Sequence, residues 1–105
     1  MDTEDILEQA RVWHAAGDTT ALATVVQSWG SSPRPVGSRM AVSQSGRMAG
    51  SVSGGCVEVA VAEAALQCFE TGRPQVLEYG ITNERAWEVG LACGGKLTVF
   101  LERLG

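Results

Sequence analysis

The chain has 105 residues and a formal net charge of −4 at pH 7, enough for one domain spanning 1–105 whose core needs neither disulfides nor a structural metal. Its cations are scattered along the chain and outnumbered by anions, which excludes the clustered basic surface that a nucleic-acid backbone requires. No run has the length and apolarity of a membrane span, and the acidic start Met1-Asp2-Thr3-Glu4-Asp5 lacks the regions of a signal peptide, so a cytoplasmic protein is expected.

Residues Thr3 to about Ala16 read as an amphipathic helix. At about 100° per residue, Ile6, Ala10 and Trp13 share one face with Leu7 at its flank, while Glu4, Glu8 and Arg11 lie opposite. Thr3 or Asp2 can cap its start and Gly17 can end it. His14, the single histidine, falls at the edge of the apolar face and reads as a partly buried residue near a helix C-terminus rather than a catalytic group. Ala21 to Ser28 is a strand rich in Val and Thr. It runs into the loop Trp29-Gly30-Ser31-Ser32-Pro33-Arg34-Pro35-Val36-Gly37. Proline on both sides restricts the backbone around Arg34. The guanidinium is either presented to a ligand from a stiff loop or simply faces water from a turn, and both readings stand.

Arg39 to Gln44 and Arg47 to Val52 suggest a hairpin joined at Ser45-Gly46, with Gly50 marking a bulge or a close backbone approach. A Ser-Gly-Gly turn follows, and the residues from Cys56 to about Glu70 have the composition of a helix. A strand, a glycine turn and a helix N-terminus make a ready site for a phosphate or another anion, because the helix end carries unpaired N–H groups and a partial positive charge. Gly54 and Gly55 lack the Cβ atoms that would hold a ligand away. Cys56, expected in the first helical turn, lies where the same field favours a thiolate.

On the helical wheel Glu58 falls in the middle of an apolar arc, with Phe69, Ala62, Leu66 and Val59 on one side and Ala65, Val61, Cys68 and Val57 on the other. Its carboxylate either curls back over the helix start or points into a pocket beside Cys56. Cys68, among Val57, Val61 and Ala64, reads as a small core residue. Gly72-Arg73-Pro74 ends the helix, and Gln75 to Tyr79 is a short strand. Ile81 to Glu88 is either a helical turn capped by Thr82 or a loop. A second glycine-rich stretch, Gly90-Leu91-Ala92-Cys93-Gly94-Gly95, leads into a terminal strand, Lys96 to Glu102. The fold expected is α+β: a mixed sheet of about five strands, two main helices, and glycine-rich loops at strand ends.

Three cysteines in a reducing compartment read as thiols, and no C-x-x-C spacing supports a zinc or iron–sulfur centre. A cysteine nucleophile would need His14 from a distant helix. The reading that uses the most features is a phosphorylated, thiophilic ligand, with glycine N–H groups on the phosphate, an arginine assisting, and a thiolate near a soft metal.

Three strings carry a family resemblance: G-S-S-P-R-P-V-G-S-R-M (Gly30 to Met40), G-S-V-S-G-G-C-V-E (Gly50 to Glu58) and V-G-L-A-C-G-G (Val89 to Gly95). In that order and spacing they resemble the N-terminal domain of the XdhC/CoxI family, accessory proteins of molybdenum hydroxylases such as xanthine dehydrogenase, over about Ala21 to Leu101. The resemblance implies a chaperone, not a catalyst, that binds the molybdenum cofactor (molybdopterin) transiently. It would assist replacement of an oxo ligand by a sulfido group and deliver the cofactor to the apo-hydroxylase, with a cysteine desulfurase as sulfur donor. It further implies that Cys56 lies next to molybdenum or carries sulfur, and that Gly54 and Gly55 approach phosphate or pterin. Arg34 and Glu58 would orient the ligand, and the family's second cysteine motif maps onto Cys93, Gly94 and Gly95. Many members continue into a Rossmann-like domain, which has no counterpart here. A homodimer or a separate Rossmann-domain partner would then complete the site.

Overall fold

The computed structural model describes residues 3–29, 35–52, 57–79 and 96–104. They form α1 (Thr3–Ala15), β1 (Thr20–Trp29), β2 (Arg39–Ser43), β3 (Met48–Gly50), α2 (Glu58–Thr71), β4 (Gln75–Tyr79) and β5 (Lys96–Arg103). The strands make one sheet in the order β3-β2-β1-β5-β4. The α+β class and the strand number agree with the sequence, but the sheet is antiparallel at every pairing rather than mixed. The reason lies in α2, which carries the chain from the β3 edge to the β4 edge. Strands that run in the same direction, β1, β3 and β4, therefore never become neighbours.

Strand alternation divides the core between the two faces. Ala21, Ala23 and Val25 of β1, Met40 and Val42 of β2, and Leu97, Val99 and Leu101 of β5 pack with Val61, Ala65, Cys68 and Phe69 of α2. Leu22 and Ala41 point the other way and meet Ile6, Ala10 and Trp13 of α1, the face foreseen from its periodicity. His14 is exposed rather than partly buried, since α1 leans its Ile6–Ala10–Trp13 stripe on the sheet and turns His14 to solvent.

Only half of the apolar arc of α2 is covered. Val61, Ala65, Cys68 and Phe69 are buried, whereas Val59 is 71% and Leu66 59% exposed. The helix axis leans toward β1 and β5. Its other apolar flank, Val59, Ala62 and Leu66, is left facing Val42 and Met48 across an open groove of about 300 Å³. At its C-terminus α2 closes on Gly72, whose φ of 71° is the left-handed conformation that favours glycine and whose N–H reaches the Cys68 carbonyl at 2.9 Å. Arg103 donates from Nη1 to the Phe69 carbonyl at 2.9 Å, so the last strand holds the end of the helix.

At the end of the sheet where β1 starts, Asp18 ties the β2–β3 turn to β1. Its carboxylate accepts from the Ser45 hydroxyl at 2.7 Å and from the Ser45 N–H at 3.2 Å, and Gln44 N–H reaches the Thr19 carbonyl. The Ser45 hydroxyl holds the Asp18 carboxyl below its ordinary value. A carboxyl whose pKa is lower in the folded chain contributes stability that is fully present above the unfolded pKa and is lost as pH falls through the folded value. Asp18→Asn should therefore lower stability at neutral pH and leave a shallower acid limb, read as the urea midpoint between pH 7 and 3. An unchanged acid limb would show that Asp18 is not the group involved.

Candidate functional site

The described residues that flank the three sequence motifs all lie toward one end of the sheet. Trp29, just before the first motif, pairs with Lys96, just after the third, on neighbouring central strands. Tyr79, where the chain leaves β4, pairs with Leu97. Gly37 N–H reaches the Val25 carbonyl and Val25 N–H the Ser38 carbonyl, both at 2.9 Å, which bring the last part of the first motif back onto β1. Met40 pairs with Gly50, so the end of the first motif lies against the start of the second.

Gly50 is the point of closest approach between those two motifs. Its φ is 79°, and a Cβ built there would overlap the Arg39 carbonyl oxygen and stand 2.7 Å from Ile6 Cδ1. This is the close backbone approach that the sequence offered as one of two readings of that glycine. Ser51 N–H then donates to the Arg39 carbonyl at 3.2 Å.

Beyond it, α2 starts at Glu58, two residues later than expected, with Val57 as N-cap at φ −122° and ψ 8°. Valine has no side-chain acceptor for the first amides, and the helix has no side-chain cap. Val61 N–H makes the first bond of the helix, to the Val57 carbonyl at 3.0 Å. A helix end capped in this way directs its positive pole out of the helix.

Glu58 is the one sequence-predicted site residue among the described ones. It is half-buried, and its carboxylate reaches back to the chain that leaves β3: Oε2 accepts from the Ser51 hydroxyl at 2.7 Å and from the Val52 N–H at 3.0 Å. Arg34, Gly54, Gly55, Cys56, Cys93, Gly94 and Gly95 lie outside the described residues, as does the ambiguous stretch 81–88. What the sequence missed is Ser51. The signal was present as a hydroxyl before the Gly54-Gly55 pair with a carboxylate after it, but helical periodicity looks only along the helix.

Cys68 and Tyr79 are structural. Cys68 is buried and its thiol is pushed up by that burial, with Sγ donating to the Arg73 carbonyl at 3.5 Å, as a core residue should be. Tyr79 is pushed up to about 12 by burial and, secondarily, by the charge of Glu63. Among the described residues no group of three or more His, Cys, Asp or Glu is placed to hold a metal ion, and no helix is long and apolar enough to cross a membrane.

The XdhC and CoxI family matches residues 13–80, a span that includes the first two motifs and stops before the third. The chain is 39% identical over 89 residues to the molybdenum cofactor insertion chaperone PaoD of Escherichia coli (strain K12), covering 85% of this chain and 28% of that protein. It is 33% identical over 89 residues to a probable xanthine dehydrogenase component of Bacillus subtilis (strain 168), covering 83% of this chain and 27% of that one. A solved structure of a xanthine dehydrogenase from Bacillus halodurans superposes on the whole chain with a TM-score of 0.79 at 25% identity, over 31% of its own length. The chain thus spans less than a third of the length of each of these proteins.

Proposed function

Since this chain belongs to the XdhC and CoxI family, we propose that it holds the molybdenum cofactor as transient cargo for a hydroxylase of the xanthine dehydrogenase or carbon monoxide dehydrogenase type. It acts as an accessory factor rather than a catalyst. It assists replacement of an oxo ligand by a sulfido group, with a cysteine desulfurase as sulfur donor, and passes the cofactor to the apo-hydroxylase. A second copy or a Rossmann-domain partner completes the site, and the exchange takes place in the cytoplasm.

The observation that carries this reading is the gathering of the residues flanking all three motifs at one end of the sheet, beside the start of α2. The cargo supplies a phosphate anion, a polar pterin and a soft metal centre. The N–H groups of Gly54, Gly55, Gly94 and Gly95 suit the first two. A thiolate at Cys56, assisted by Cys93, suits the metal, and Arg34 suits the anion.

A second reading is an adaptor that docks the hydroxylase or the desulfurase without holding cofactor. The groove between α2 and the β2–β3 hairpin favours it, because Val59, Leu66 and Met48 leave an apolar surface there uncovered.

Anaerobic gel filtration with isolated molybdenum cofactor separates the two. The chain should elute with molybdenum and pterin in its peak, and Cys56→Ala should lower the retained molybdenum at least tenfold. Absence of both from the unmutated protein's peak would favour the adaptor, and equal retention by Cys56→Ala would remove that thiol from the site.

A further inference from the structure

We infer that Ser51 and Glu58 form a clasp that sets the distance between the end of the β3 arm and the start of α2, making both of them positioning residues rather than ligands of the cargo. Between the clasped ends runs Ser53-Gly54-Gly55-Cys56, the segment with the thiol assigned to the metal. The inference rests on the cofactor reading above for its functional meaning, though not for its geometry.

Two donors from consecutive residues, the Ser51 hydroxyl and the Val52 N–H, converge on a single carboxylate oxygen of Glu58. Hydrogen bonds to an ionised acceptor are shorter and roughly twice as strong as neutral ones. The Ser51 bond, at 2.7 Å, is of that kind.

The strand side of the clasp is itself fixed. Ser51 N–H is held by the Arg39 carbonyl, Gly50 is wedged against Arg39 and Ile6, and Val52 is fully buried in the main core beside Val57 and Val61. On the helix side Glu58 is the first residue of a 14-residue helix packed on β1 and β5. The clasp therefore joins the end of the β3 arm to the start of α2, and its loss would be felt in the spacing between them. The Glu58 oxygen that accepts these two bonds is taken up by the chain leaving β3, so through it Glu58 acts on the backbone that it holds.

The test uses Ser51→Ala, Ser51→Thr, Glu58→Ala and Glu58→Gln in the full chain. Amide hydrogen exchange and cofactor retention are read side by side, with the amides of β1 and β5 as the reference for intact folding. Loss of a bond to a charged acceptor should raise exchange at the Val52 amide, itself one of the two donors of the clasp, about tenfold or more in Ser51→Ala and Glu58→Ala. Threonine keeps the hydroxyl, and the glutamine amide oxygen can take both donors, so Ser51→Thr and Glu58→Gln should stay within about threefold of the unmutated chain. Cofactor retention should follow the same division.

Unchanged exchange in both alanine variants would overturn the clasp. Retention lost in Glu58→Gln as fully as in Glu58→Ala, with exchange undisturbed, would also overturn it, since the charge would then be meeting the cargo. If the unmutated chain retains no cofactor, the cofactor reading fails while the exchange measurement still decides the clasp.

Discussion

Gly50→Ala is expected to lower the unfolding free energy by about 2–6 kcal/mol. A non-glycine residue held at positive φ costs about 1–3 kcal/mol, and forcing an extra methyl group into a filled space typically costs about 1–3 more. Both terms apply, because φ is 79° and the added carbon would meet the Arg39 carbonyl oxygen, a backbone atom of the paired strand that cannot swing aside. Ile6 Cδ1, 2.7 Å away, is the end of a fully buried side chain with little space to turn into. Against a typical total stability of about 5–15 kcal/mol this is a large fraction, and thermal unfolding should drop by on the order of 20 °C. Gly46 provides the control: its φ is 100°, but nothing stands within 4 Å of an added Cβ, so Gly46→Ala should cost only the conformational part. Equal losses for the two alanine variants would mean that the crowding at Gly50 is relieved at no cost.

Trp13→Ala is the second large effect expected, a loss of about 3–5 kcal/mol. The α1 side of the sheet has a small apolar cluster of its own, Ile6, Ala10, Trp13, Leu22 and Ala41, of which Trp13 is the largest member and only 6% exposed. Ala10 and Ala41 have little side-chain area to share, so the indole ring supplies the largest single part of the buried surface. The backbone bonds that end the helix at Trp13, from Ala16 and Asp18 to its carbonyl, survive the substitution, which confines the loss to packing. Trp13→Phe should recover more than half of it. Chemical denaturation of the three proteins decides the matter, and a deficit below about 1 kcal/mol for the alanine variant would mean that α1 closes over the gap.

Most of the framework was legible in the chain, because periodicity reports it directly. The Ile6–Ala10–Trp13 stripe predicted both α1 and the face it buries, and Gln75 to Tyr79 and the start of the last strand at Lys96 fall where the sequence puts them. What periodicity cannot supply is direction. Val59 and Leu66 are as apolar as Val61 and Phe69, yet which flank of α2 meets the sheet depends on where the crossover deposits β4, a property of the whole chain. The antiparallel sheet went unseen for the same reason. The start of α2 moved from Cys56 to Glu58 because Val57 takes up the non-helical conformation of an N-cap, which nothing in the side chain of valine announces. Of the candidate site, the sequence named Glu58 but gave it two destinations. Its observed partner, Ser51, is seven residues upstream, before the Gly54-Gly55 pair in sequence, where a helical wheel does not reach.

The central pairing of the sheet has a consequence for how the protein comes into being. β1 and β5 join nearly the two ends of the described chain, Ala21 opposite Arg103 and Trp29 opposite Lys96. Closing so long a loop is entropically slow, and it must precede the burial that rewards it. The β2–β3 hairpin can form early from neighbours in sequence, but β1 has no partner on its other side until the last strand has been synthesised. The same step that completes the core brings Trp29 and Lys96, which flank the first and third motifs in sequence, into register. A nascent chain that still lacks β5 therefore leaves one side of β1 unpaired, and the residues that flank the motifs come together only when β5 is in place.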